Sequence, residues 1–299
     1  MTDRKSVSRS FCERWGERTP EAAARKALES AIPGAARSAV PVNLDAAARF
    51  VGIEQVLETN MTQADGLLQL APSGSYVASL RSGQGESRKR FTLAHEIGHA
   101  VVYRSLAPPG QPPRDALRCG STATAVDRDE ERLCDIVATE LLMPRTQFLQ
   151  KMDEFGVCAG TIPQLSREFS VSLQAASRRV TQLSAYNLAV ALWTRGDQGS
   201  LIPKWYVTEA GGKAIDYVIE PGDPGSACFS DRTVRGWHWI PLQGHMEKYF
   251  VDISPVRASQ KAWLLLVVFS DAAQQILSEI SKGHVAPAPS TEQLPLWDE

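Results

Sequence analysis

The sequence predicts an α+β protein: a mixed helix-and-strand unit, a helix-turn-helix-like segment, then a strand-rich α/β unit. Three observations predict it. Alanine-rich segments of strong helix formers occupy the N-terminal region. "RDEERLCDIVATELLMP" (128–144) spaces its apolar residues by three and four. After Ala185 the texture changes to short apolar segments separated by Gly, Pro or Asp turns.

In chain order, "PEAAARKALESAI" (20–32) reads as a helix with proline in its first turn. "NLDAAARFVGI" (43–53) reads as another, ending at Gly52. "GLLQLAPSGSYVASL" (66–80) reads as a hairpin around Pro-Ser-Gly. A helix through "FTLAHEIGHAVVYR" (91–104) follows, with Ser87 as its expected cap. It stops after Ser105, where "APPGQPPRD" forbids helix. A proline-rich loop runs to about Asp127. The 128–144 helix has an acidic start and a proline stop at Pro144. "TIPQLSREFSVSLQAASRRVTQL" (161–183) reads as two short helices with a turn at 169–172. "YNLAVALW", "KWYVTE", "AIDYVIE", "GWHWIPL", "KYFVDI" and "AWLLLVVF" read as strands, and "DAAQQILSEI" as a final helix. The proline-rich 284–299 reads as a disordered tail. The expected boundaries are 1–160, 161–184, 185–283 and 284–299.

A net charge of −2 gives no global field toward nucleic acid, so any such contact needs a local patch. Five scattered cysteines argue against a disulfide framework and for a reducing compartment. The N-terminus lacks the apolar segment of a signal peptide, and no apolar run approaches the ~20 residues of a membrane helix. The expectation is a soluble cytoplasmic protein with no membrane partner.

His95 and His99 stand four apart, so they share one helix face, with Glu96 beside them. Two imidazoles and a carboxylate buried on an apolar helix without a metal would leave costly unpaired groups. A catalytic zinc wants a third protein ligand and an open position for water. Glu131 supplies one, with Asp135 one turn further on the same face. Asp135, among Leu133 and Ile136, wants a partner, and the free N–H of a ligating histidine would serve. Glu130 is the rival ligand, but it lies on another face. Glu96 is then placed as the general base.

"RFTLAHEIGHAVV" followed by "EERLCDIVATELLMP" resembles the ImmA/IrrE family of zinc metallopeptidases, over about residues 40–185. The resemblance implies a zincin-like peptidase that cleaves a partner helix-turn-helix repressor, derepressing stress-response, mobile-element or phage-defence genes. Carried over, Zn²⁺ is held by His95, His99 and Glu131, and Glu96 is the catalytic base. Cys134 and Val137 depart from the usual Ala and Phe, expected as packing changes. The substrate must lie extended, and Tyr76, Val77, Ala78, Ser79 and Leu80 are expected to form the edge strand that pairs with it.

Some relatives carry a GAF-like sensor after the peptidase, and the 185–281 region is compatible with one. The inducer would be a small molecule or single-stranded DNA stacking on aromatics, although "GWHW" reads as core. Arg178 and Arg179 on the helix pair are available for phosphates, with a structural or repressor-docking role favoured. Cys119, in the loop between the two motif helices, could ligate zinc through its thiolate and hold the enzyme latent. "QLPLW" (Gln293–Trp297) resembles peptides that dock on the replication sliding clamp. The alternative function is a non-catalytic regulator that binds a repressor or DNA and uses zinc structurally.

Overall fold

The structure is a computed structural model. It describes residues 6–108, 125–196, 198–208, 229–230, 232–242, 245–256 and 262–268, and single positions 219, 221, 226, 278 and 282. The chain divides into two units, 1–144 with 169–171 and 145–168 with 172–299. Residues 145–160, assigned from the sequence to the first domain, group with the second unit.

In the first unit the order is α1 (Val7–Trp15), α2 (Pro20–Ala31), α3 (Gly34–Arg37), α4 (Leu44–Phe50), β1 (Ile53–Thr59), β2 (Gly66–Leu70), β3 (Tyr76–Arg81), α5 (Glu86–Leu106) and α6 (Ala125–Leu142). Thr19 caps α2 by accepting from the Ala22 N–H, with Pro20 supplying a preset φ at the first position. Asn43 caps α4 in the same way. That helix ends into Gly52, whose φ of 79° other residues rarely adopt. The sequence reading missed α1, α3 and β1 in this unit, and the helix at Arg145–Phe155. The polar helix α1 is anchored by the fully buried Phe11. Strand β1 exposes most of its length, so it lacks the alternation that marks a half-buried strand.

Strands β2 and β3 form the anticipated antiparallel hairpin, Gly66 opposite Leu80. β1 adds in parallel on the other side of β3, giving the order β1-β3-β2. The expectation that Tyr76–Leu80 is an edge strand is therefore wrong: β3 is the centre of the sheet, with both sides already paired. Its near-complete burial follows, with Tyr76, Ala78 and Leu80 fully buried. The edge beside α5 is β2. α5 starts at Glu86 with Gly85 as its cap residue, so Ser87 sits inside the first turn instead of capping it.

The second unit comprises α7 (Arg145–Phe155), α8 (Ile162–Glu168), α9 (Leu173–Leu183), β4 (Leu188–Arg195), β5 (Leu201–Thr208), β6 (Val234–Leu242), β7 (His245–Pro255) and β8 (Ala262–Val268). The strands make one antiparallel sheet, ordered β5-β4-β8-β7-β6. Alternate residues supply its core on one face: Ala189, Ala191 and Trp193, Val251 and Ile253, Trp263, Leu265 and Val267. Of "AIDYVIE" only Ile219 is described, bridged to Leu201. α8 and α9 form the expected helix pair. α9 packs on β4 and β5 and buries Arg179 at 3% exposure, which leaves Arg178 but not Arg179 open to a phosphate. Nor is "GWHW" core as expected, since Trp237 and Trp239 are 45% and 47% exposed. They alternate along β6, an edge strand, and so share one face. Among the described residues no helix is long and apolar enough to cross a membrane.

Trp193 is fully buried and meets Phe229 at 5.6 Å between ring centroids. Trp193→Ala should cost ~3–5 kcal/mol of second-unit stability through the cavity it leaves. Urea titration followed by far-UV circular dichroism measures this, and a loss below ~1 kcal/mol would contradict the packing described.

Candidate metal centre

The site is built where α5 crosses α6. His95 and His99, one turn apart on α5, stack edge to face at 4.8 Å between ring centroids. Glu131, from α6, faces both rings. Its Oε2 lies 3.0 Å from His95 Nε2 and its Oε1 3.5 Å from His99 Nε2. One donor atom from each of the three residues falls within 4.8 Å of the other two. Two imidazole nitrogens and one carboxylate are the donor set of a catalytic zinc with a position left for water.

The helices approach closely because Gly98 has no side chain. A Cβ there would stand 2.9 Å from the Cys134 carbonyl oxygen and 3.2 Å from Cys134 Cα. Both are backbone atoms of α6, which cannot step aside alone.

The outer nitrogens of both histidines are also held. His95 Nδ1 donates to Asp135 Oδ1 at 2.9 Å. This is the contact expected from the Glu131–Asp135 step, and it leaves Nε2 for the metal. His99 Nδ1 lies 3.5 Å from Glu130 Oε1 and 3.3 Å from Cys134 Sγ. Glu130 also accepts from the Tyr103 hydroxyl at 2.6 Å, while the Tyr103 ring stacks on His99 at 5.6 Å. Glu130, the rival ligand from sequence, thus supports a histidine from behind. Cys134 touches that histidine instead of merely packing, and burial among carboxylates pushes its thiol well above the usual range, so it stays protonated. Tyr103 went unnoticed from the sequence, although its place four residues after His99 puts it on the same helix face.

Glu96 is 4% exposed and lines a cavity of about 520 Å³ with His95, His99, Glu131, Thr92 and residues 62–68. Burial raises its pKa, the neighbouring histidines pull it down and Glu131 raises it again, for a net upward shift. A carboxylate shifted upward is a better base near neutral pH. Residues 109–124, and with them Cys119, lie outside the described residues, as do Gln293–Trp297.

Residues 53–181 match the family model described as the IrrE N-terminal-like domain, Peptidase_M78. The "Radiation response metalloprotease IrrE" of Deinococcus radiodurans is 25% identical over 205 residues. The match spans 60% of this chain and 60% of that relative. A solved "Mycobacterium tuberculosis transcriptional regulator" superposes with a TM-score of 0.47 and 12% identity, covering 91% of this chain and 83% of that one.

Two predictions follow from this geometry. Gly98→Ala should push α5 and α6 apart, cost ~1–3 kcal/mol by overpacking and weaken zinc binding at least about tenfold. Thermal melting and competition with a chromophoric chelator measure both, and unchanged values would refute the close-approach account. The second concerns pH. Burial lowers the pKa of His95, but its bonds to Asp135 and Glu131 outweigh that and push it up to about 10. At pH 7 the metal-free imidazole therefore carries a proton, which a metal must displace. Zinc affinity should rise with pH up to about 10, and calorimetry in buffers of different ionisation enthalpy should detect proton release. A pH-independent affinity between 6 and 9 would contradict it.

Proposed function

We propose, from the premise that residues 53–181 belong to the ImmA/IrrE family of metallopeptidases, that this chain is a zinc-dependent endopeptidase. Its substrate would be a partner helix-turn-helix repressor, cleaved on demand to derepress genes of stress response, mobile elements or phage defence. The observation that carries the peptidase reading is the convergence of His95, His99 and Glu131 in one cavity with the buried carboxylate of Glu96. A structural zinc usually closes with a fourth protein ligand and has no use for a base. Among the described residues the donor set is three, and a base stands beside it.

Zinc held by these residues would supply Lewis acidity, lowering the pKa of water toward ~7 and polarising the scissile carbonyl. Glu96 accepts the proton of the attacking water at its carboxylate and returns it to the leaving amine nitrogen. Asp135 and Glu130 fix the two imidazoles from behind, so that both Nε2 atoms keep their direction through the cycle. The substrate strand is proposed on β2. Gly66, Leu67 and Leu68 line the cavity, and β3 covers only one side of β2 among the described residues.

The second unit is proposed as a GAF-like sensor that makes cleavage conditional. Exposed Trp237 and Trp239, with exposed Lys248 across from Trp239 on β7, offer a surface for an aromatic, anionic inducer such as single-stranded DNA.

Glu96→Gln should bind zinc as the wild type does and lose cleavage by at least ~10³-fold. Glu131→Ala should lose the metal, and Glu130→Ala should keep it with weaker affinity. Metal analysis and a gel assay against helix-turn-helix repressors, beginning with any encoded beside the gene, test this. Cleavage by Glu96→Gln at the wild-type rate would overturn the mechanism.

A further inference from the structure

The entry to β2 bears on Glu96 through an absence. A Cβ built on Gly66 would lie 2.3 Å from Glu96 Oε1, 3.1 Å from Glu96 Cδ and 2.6 Å from Thr92 Cγ2. Gly66 has no left-handed φ, so its backbone does not need glycine. What requires glycine there is the space the Glu96 carboxylate occupies.

Three groups meet at this point, and two of them are fastened. The Asp65–Gly66 backbone is pinned from several sides. The Asp65 carboxylate takes Arg88 Nε at 2.8 Å, a second bond from Arg88 Nη2, and Arg81 Nη2 at 2.5 Å. Its carbonyl accepts from the Arg81 N–H at 2.9 Å and from Gln84 Nε2 at 3.3 Å. Gly66 itself is in ladder register with Leu80. Thr92 is held too. Its Oγ1 donates to the Arg88 carbonyl at 3.0 Å, which sets the rotamer and aims the stiff β-branched methyl at Gly66. The flexible end of Glu96 is the part free to yield.

We infer that Gly66 is a positioning residue for the general base: the pinned Asp65–Gly66 corner and the Thr92 methyl form a wall that the Glu96 carboxylate rests against. A methyl at 66 would meet the yielding Glu96 carboxylate at 2.3 Å and the held Thr92 methyl at 2.6 Å, so it would displace the base and cost some stability, while the zinc-ligating side chains stay in place. To relax from 2.3 Å to ordinary contact near 3.4 Å, the carboxylate must retreat by about an ångström. A shift of that size at a reacting group costs on the order of 10²-fold in rate. The inference rests on the peptidase reading above and assigns the corner's part in it.

The test uses the full chain with zinc and the helix-turn-helix repressor that the gel assay above identifies as substrate. Gly66→Ala should fold, with a modest drop in melting temperature from the Thr92 methyl, bind one zinc with unchanged affinity, and lose kcat by ten- to a hundredfold with KM held within about threefold. A crystal structure of the variant should show the Glu96 carboxylate moved by about an ångström. The decisive arm is a pairwise cycle with Glu96→Asp, whose shorter side chain withdraws from the added methyl. In that background Gly66→Ala should cost less than about twofold. A wall that only supports the fold, or only touches substrate, would give the same loss in both backgrounds. Equal losses, wild-type kcat in Gly66→Ala, or loss of fold or zinc overturn the inference. Failure of the wild type itself to cleave would sink the peptidase reading instead, while the crystallographic displacement still tests the wall.

Discussion

The close approach of α5 and α6 at Gly98 is the constraint on which the site depends. With the Gly98 Cα against the backbone at Cys134, Glu131 on the next helix reaches both imidazoles at 3.0–3.5 Å. One turn further, Asp135 meets the outer nitrogen of His95. A methyl group at that crossing would have to be absorbed by helix separation, because its neighbours are main-chain atoms. The donor set is thus fixed by a packing distance before any metal contributes. Metal bound by these residues would add its binding free energy to the stability of the fold.

Around that crossing, acidic and basic side chains are packed closely together. Carboxylates of Glu130, Glu131 and Asp135 surround two histidines, and Glu96 sits buried at the cavity wall. Without a metal, the arrangement resolves by protonating His95, whose pKa is pushed up to about 10. Burial meanwhile shifts Glu96 upward. Both shifts are upward, which keeps His95 charged and favours the neutral form of Glu96, and strongly shifted neighbours of this kind cluster at functional sites. The three-stranded sheet contributes position more than charge: its edge strand β2 forms the far side of the cavity, and the clamp on Asp65 holds that strand's first residue in place.

The second unit follows a different logic. Its sheet packs one apolar face through Trp193, Trp263 and their neighbours, and α9 lies on β4 and β5. The edge strand β6 lies at the far end of the sheet from β5 and keeps two tryptophans exposed. Two large exposed aromatics side by side on one face of an edge strand cost solubility and invite association.

What the sequence determined by itself was whatever depends on local spacing. The i, i+4 histidines, the glutamate between them and the Glu131–Asp135 step all lie on single helices. There 3.6 residues per turn sets which side chains share a face. The hairpin around Pro72–Gly74 and most strands of the second unit were legible for the same reason, from period two and turn residues. Only the tertiary structure decided what lies beside what. β3 proved central because β1, too exposed to show a pattern, pairs with it across a long separation in sequence. Glu130 proved a support, and Cys134 a contact of His99, because the rotation of α6 against α5 chooses among neighbouring faces. Trp237 and Trp239 proved exposed because their strand is an edge. Gly66 and Glu96 stand thirty positions apart in sequence, and nothing local couples them. Their contact exists because a pinned strand and a helix occupy the same few ångströms, and non-local packing of that kind leaves no periodic trace in a sequence.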